Sequence, residues 1–247
     1  MNKTSKLNGR ILVTGANGFV GTHLLPRLSE ISDRNVCHSG VVRHPDVVDD
    51  ALVGSWSFRA CDLTDETAVN QLISDLKPST IVHLAAQSSV SRSLGSSADD
   101  TWTTNFCGTL YLAEAVARHC PNSTFLFSST AEVYGTSFNQ GATSEDTPAR
   151  PQTPYSRSKL ACEMMLADVL PESCKLIITR PTNHSGHGQS TQFVLPSFAH
   201  QIAELEQAGV PGTINVGNLD VERDFIHVED VINAMCGLLL NSHALPR

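Results

Sequence analysis

Ile11-Leu12-Val13-Thr14-Gly15-Ala16-Asn17-Gly18-Phe19-Val20-Gly21 decides how the rest of the chain is read. An apolar run of strand type feeds a glycine-spaced turn, and the turn opens into a helical pattern. Gly15 permits a tight turn, Gly18 lets a ligand phosphate approach the backbone, and Gly21 lets the helix pack close to its strand. The N–H groups around Asn17, Phe19 and Val20, at the positive end of that helix, favour a dinucleotide pyrophosphate. The spacing is G-x-x-G-x-x-G rather than G-x-G-x-x-G, and an ordinary tight turn would also accept it. The strand before it, the helix after it and the further strand–helix units beyond separate the two readings.

The helix is expected over residues 18–29, with Pro26 kinking its axis by removing the bond to the Thr22 carbonyl. Residues 35–43 read as a second strand, interrupted at Ser39-Gly40. It ends in Val41-Val42-Arg43-His44, where enzymes selective for NAD place an acid on the ribose. A guanidinium at Arg43 suits a 2′-phosphate, so NADP(H) is favoured, with NAD(H) possible. A solvated arginine, or one stacked on adenine, would look the same in sequence. A short strand at 57–60 leads to Asp62-Leu63, placed to meet the adenine, and Asp65 caps a helix over 66–76. The apolar strand 80–84 ends in Leu84-Ala85-Ala86, small enough for a flat cofactor to lie on the backbone. The polar loop Gln87-Ser88-Ser89-Val90-Ser91 follows at the strand's carboxyl end, where α/β sheets bind ligands. A helix over 100–119 and strands at 124–128 and 175–179 complete the alternation. The expected fold is α/β, a doubly wound parallel sheet of Rossmann type. From Arg180 the pattern changes to a glycine-bearing loop (180–189), an amphipathic helix (193–207), short strands at 214–217 and 224–228, and an apolar helix over 230–240. The expected division is a dinucleotide-binding domain (1–180), a partial substrate lobe (181–224) and a returning segment (225–247).

Charge and composition exclude several classes. At 247 residues, 40% hydrophobic and 17% charged, the chain suits a globular enzyme. A net charge of −8 argues against nucleic acid or an anionic membrane as partner. No apolar run reaches membrane-spanning length, and residues 1–10 lack a signal-peptide core. The seven scattered cysteines form no C-x-x-C and read as reduced, buried thiols of a cytoplasmic protein. His184 and His187 have no nearby thiol or carboxylate in sequence, so no metal site is expected.

Thr153-Pro154-Tyr155-Ser156-Arg157-Ser158-Lys159 is the second anchor. Thr153 can cap a helix that Pro154 opens, and Tyr155 and Lys159 then share one face. A phenol titrating near pH 10 shuttles protons poorly at neutrality, and a nearby ammonium, together with the positive nicotinamide of an oxidised cofactor, is expected to lower it. Ser128-Ser129-Thr130-Ala131-Glu132-Val133-Tyr134-Gly135 ends the fifth strand, where a hydroxyl can bond the oxygen on which Tyr155 acts.

Together these runs resemble the extended short-chain dehydrogenase/reductase family of nucleotide-sugar enzymes. The resemblance rests also on Asn105-x-x-Gly108-Thr109, Arg180-Pro181-x-Asn183 and Arg223-Asp224-Phe225, and it covers nearly the whole chain. It implies Tyr155 as acid/base, Lys159 as the residue orienting the nicotinamide ribose, and Thr130 as the group polarising the substrate oxygen. It makes Asn105 structural, and Asn183 and Arg223 ligands of a sugar-nucleotide diphosphate. Gln87, Ser88 and Ser89 fall on the substrate side, and Arg92 either touches substrate or is solvated. Within the family, residues 85–90, 180–190 and 216–225 are most similar to GDP-4-keto-6-deoxy-mannose reductases, which deliver hydride from NAD(P)H to the sugar C4 carbonyl. Glu132 stands where related 4,6-dehydratases carry a base, so a GDP-mannose-type dehydratase or a C4 epimerase stays open. A non-catalytic sensing or scaffold protein is a weaker alternative, because Tyr155, Lys159 and Thr130 are all intact. The implied partners are a nucleotide sugar and a second copy of the chain, as a homodimer. Family members run well past residue 247, so the C-terminal substrate lobe is expected to be small and incomplete.

Overall fold

A computed structural model describes residues 6–43, 54–89, 93–94 and 98–245. Strand β1 (Arg10–Thr14) runs into helix α1 (Phe19–Ile31), which leads to β2 (Cys37–Val42), and β3 (Trp56–Ala60) follows. Helix α2 (Glu66–Leu76) leads to β4 (Thr80–His83). The next helical stretch comprises α3 (Ala98–Trp102), a π-helical turn (Thr103–Cys107) and α4 (Gly108–His119). Strand β5 (Thr124–Ser128), helix α5 (Pro154–Val169) and β6 (Lys175–Thr179) follow. The six strands form one sheet in the order β3-β2-β1-β4-β5-β6, and every pairing is parallel. Beyond it lie β7 (Asn183–Ser185), α6 (Val194–Ala208), β8 (Phe225–His227) and α7 (Val228–Leu240), with β7 and β8 paired in parallel.

The alternation of strand side chains explains the layering. Val13, Val82 and Leu126 point to one face and pack on Leu24, Leu25 and Leu28 of α1 and on Val231, Ile232 and Met235 of α7. Leu12, Ile81, Phe125 and Phe127 point to the other face and pack on Val69 and Ile73 of α2, Leu112 and Val116 of α4, and Leu166 of α5. Both faces of the central strands are therefore buried, as parallel sheets require. The strand order reverses between β1 and β4, and the carboxyl ends of those strands open the ligand crevice of a doubly wound sheet.

Several expectations change. Ser39-Gly40 does not interrupt β2, because Gly40 pairs with Phe58 and a Cβ there would press into the Phe58 ring at 2.7 Å. Helix α1 continues through the exposed Pro26 to Ile31, held by Leu24, Leu25 and Leu28 on its buried side. The stretch expected as one helix over 100–119 takes a π-helical turn around Asn105. No strand forms at 214–217; the Gln201 side chain bonds the N–H and C=O of Asn215 and replaces a strand partner. Residues 183–185, expected as loop, form a strand instead. All seven cysteines are free, and Cys37 is exposed rather than buried. No helix of the described residues is long and apolar enough to cross a membrane.

Candidate active site

The carboxyl ends of β1, β4 and β5 open into a cleft of about 2410 Å³. Gly15 adopts φ +69°, and a Cβ there would stand 2.8 Å from the Ala85 nitrogen. A Cβ on Gly21 would stand 2.4 Å from the Gly15 carbonyl oxygen. Glycine at these positions lets the α1 N-terminus close onto the turn and β4 lie against it. No side chain caps α1, and its first turn carries no acid, so its N–H groups stay open to an anion. Asn17, Gly18, Phe19, Val20, Arg43, Asp62, Leu63, Leu84, Ala85 and Ala86 share the same wall. Arg43 is exposed at the end of β2. Asp62 Oδ1 accepts from the N–H and the hydroxyl of Thr64, which turns the chain into the α2 cap at Asp65. These glycines, the uncapped helix end and the flat Ala85-Ala86 backbone fit a dinucleotide.

Tyr155 and Lys159, on α5, line the same cleft. Thr153 and Ser156 form a reciprocal capping box and Pro154 opens the helix, which sets the phase of that face. Both side chains are nearly buried, at 9% and 3% exposure. Lys159 Nζ donates to the Ser128 carbonyl oxygen at 2.7 Å and sits 4.6 Å from the centre of the Phe127 ring. Burial lowers its pKa to about 8, against the upward pull of Cys162 and Glu163. Tyr155 is pushed up to about 12, first by burial; a hydrogen bond with the Thr130 side chain pulls it down, and the Glu132 charge pushes it up. In the protein alone burial sets the direction of this shift; the expected lowering also draws on the charge of an oxidised nicotinamide. Thr130 Oγ1 accepts the Glu132 N–H at 3.2 Å, which leaves its own proton for Tyr155 or a substrate oxygen.

Glu163 was not anticipated as part of this site. It lies two helical turns beyond Tyr155 on the face shared with Lys159, and that spacing was the available signal. Its carboxylate accepts the Ser129 hydroxyl and pairs with Arg180 at 2.6 Å. Glu163 raises the Arg180 pKa, and the Arg180 guanidinium also donates to the Tyr134 hydroxyl at 2.9 Å. This network ties the end of β6 to the loop that carries Thr130.

The proposed substrate residues divide. Ser88, Ser89, Asn183 and Arg223 line the cleft. Gln87 is not among the residues lining the cleft: its N–H donates to Asn105 Oδ1 at 2.8 Å and its side chain donates to the Ser89 carbonyl. Arg223 pairs with Glu132 at 3.3 Å, and Asn183 Nδ2 reaches the Asp224 carbonyl at 3.4 Å. His44, Val90, Ser91 and Arg92 lie outside the described residues. The His184 ring stacks parallel to Phe19, while His187 offers its carbonyl to His23.

The family model described as "NAD dependent epimerase/dehydratase family" matches residues 11–246. The GDP-6-deoxy-D-mannose reductase of Pseudomonas aeruginosa is 33% identical over 241 residues, 95% of this chain and 72% of that protein. A dTDP-glucose 4,6-dehydratase of Streptomyces niveus is 31% identical, over 95% of this chain and 70% of its own length. Among solved structures, RMD from Pseudomonas aeruginosa complexed with NADPH superposes with a TM-score of 0.75 at 32% identity, covering 94% of this chain and 74% of that one. A UDP-glucose 4-epimerase from Thermus thermophilus in complex with NAD gives 0.76 at 27% identity, covering 93% and 74%.

Proposed function

This chain belongs to the NAD dependent epimerase/dehydratase family, and from that premise we propose that it reduces the C4 carbonyl of a GDP-4-keto-6-deoxy-hexose to a GDP-rhamnose-type product, with NADPH preferred over NADH. The observation that carries this reading is one cleft lined by Tyr155, Lys159 and Thr130 together with the glycine turn, with Tyr155 hydrogen-bonded to the Thr130 side chain. Gly15, Gly18, Gly21 and the α1 N-terminus would hold the pyrophosphate, Arg43 a 2′-phosphate, Asp62 and Leu63 the adenine end, and Ala85-Ala86 the ring edge. When bound, the nicotinamide cofactor supplies the hydride.

The protein's own residues supply the proton. In the direction of reduction the acid must arrive protonated, and a phenol raised to about 12 is protonated at neutral pH. Thr130 shares the oxygen's lone pairs and orients the transfer. The Lys159 ammonium, locked on the Ser128 carbonyl, stabilises the phenolate as it forms. Arg223 and Asn183 would bind the diphosphate. The similarity to the Pseudomonas reductase supports reduction over abstraction of a C5 proton by Glu132. The proposed enzyme acts in the cytoplasm as a homodimer.

The test incubates the protein with GDP-4-keto-6-deoxy-mannose and each reduced cofactor. Stoichiometric NADPH consumption and a 6-deoxy product are expected. Conversion of GDP-mannose to its 4-keto-6-deoxy form, with no net change in cofactor, would move the reaction to dehydration and make Glu132 the base.

A further inference from the structure

A buried polar chain runs from the residue before the glycine turn to the backbone of the acid/base residue itself. Thr14, His83, Asn105, Thr109 and Ser158 are each 2% exposed or less. Thr14 Oγ1 lies 2.6 Å from His83 Nδ1, and His83 Nε2 lies 2.9 Å from Thr109 Oγ1. Thr109 donates to the Asn105 carbonyl at 2.5 Å. The Asn105 side chain accepts from the Gln87 N–H and donates to Ser158 Oγ at 3.0 Å. Ser158 donates to the Tyr155 carbonyl at 2.8 Å.

Proton accounting assigns every donor. A carbonyl only accepts, so the Thr109 proton is committed to Asn105, where Cys162 also sends its thiol proton at 3.2 Å. Thr109 must then accept from His83 Nε2–H. His83 Nδ1 consequently carries the lone pair and accepts the Thr14 hydroxyl, whose own lone pair takes the Ala85 N–H at 3.3 Å. One tautomer of one neutral ring satisfies all of these bonds, and a second ring proton would force the Thr14 hydroxyl to turn its own proton away from Nδ1. Burial and the Lys159 charge both oppose such a proton. The carboxyl ends of β1 and β4, the π-helical turn and α5 are thereby joined by bonds whose directions cannot be reversed singly.

We propose that His83, held as its neutral Nε2–H tautomer, is a positioning residue that keeps the dinucleotide turn and the Tyr155 helix in register across the cleft. The proposal rests on the reductase reading for what Tyr155 does, and on geometry alone for how it is held.

Histidine-selective ¹⁵N NMR of the wild type, assigned with His83→Phe or, if that variant does not fold, with Thr109→Val, should show His83 as the Nε2–H tautomer, unchanged between about pH 5 and 8. The opposite tautomer, or titration in that range, overturns the proposal. Thr109→Val and His83→Phe should each raise the NADPH Kd and lower kcat about tenfold, roughly the effect of one lost hydrogen bond, with the sugar KM unchanged. Thr109→Ser should restore both values. Variants that lose only thermal stability and keep wild-type Kd and kcat would reduce His83 to core packing and overturn the proposal. A wild type that shows the tautomer and binds NADPH but reduces no 4-keto sugar would sink the proposed reaction and leave this assignment standing.

Discussion

Replacing Lys159 by methionine should change how stability depends on pH, in a direction and amount that follow from burial. Lys159 is 3% exposed, and burial lowers its pKa from the ordinary 10.5 to about 8. One unit corresponds to about 1.4 kcal/mol, so the shift represents about 3 kcal/mol. Below about pH 8 the ammonium is charged in both folded and unfolded chains. Between about 8 and 10.5 the unfolded chain keeps a proton that the folded protein has released. Stability therefore rises with pH through that window, since it rises wherever the unfolded state binds more protons. Burial raises the thiols of Cys61, Cys120, Cys162 and Cys236, and these groups act the other way as unfolded thiols ionise. Cys61, Cys120 and Cys236 are the same in both proteins; Cys162 is coupled to Lys159, so both are compared on a Cys162→Ala background, where the difference isolates the lysine. Urea unfolding with reductant present, at intervals from about pH 7 to 10.5, measures that difference. The protein with Lys159 should gain about 3 kcal/mol on the Lys159→Met variant across the window. A constant offset, reflecting only the lost Ser128 bond and the Phe127 contact, would show that the ammonium is not desolvated and would refute the argument.

Tyr155→Phe should lower kcat by about 10²–10⁴-fold while NADPH affinity and the thermal midpoint hold, as kinetics, titration and calorimetry would show. Arg43→Ala should weaken NADPH more than NADH, and equal losses by fluorescence titration would remove the 2′-phosphate role. Glu163→Gln should destabilise the fold by about 3 kcal/mol in urea, because Arg180 loses its buried partner; a loss under about 1 kcal/mol would make the pair a surface-like bridge. Gly21→Ala should cost about 1–3 kcal/mol and reduce dinucleotide affinity, since the added methyl meets the Gly15 carbonyl at 2.4 Å.

Local regularities carried the sheet and half of the site. The strand–turn–helix at 10–31, the apolar strands and the Thr153 cap before Tyr155 all depend on neighbours within a few residues, so they were legible in order along the chain. Tyr155 and Lys159 share a face because helices repeat every 3.6 residues, and Gly18 and Gly21 are required by contacts their own segment makes, whereas Gly15 is also pressed by Ala85 after β4. Other features arise between segments far apart in sequence. Glu132 meets Arg223 across 91 positions, Glu163 finds Arg180 only after β6 is laid beside β5, and Gln201 stands in for a strand at Asn215 only once α6 folds over it. Gln87 sits in a polar loop suited to substrate, yet its backbone is bonded by the Asn105 amide, 18 positions away. The direction of the Tyr155 shift belongs to the same class. Sequence placed an ammonium nearby, but desolvation depends on everything packed around the ring, and only the assembled cleft decides it.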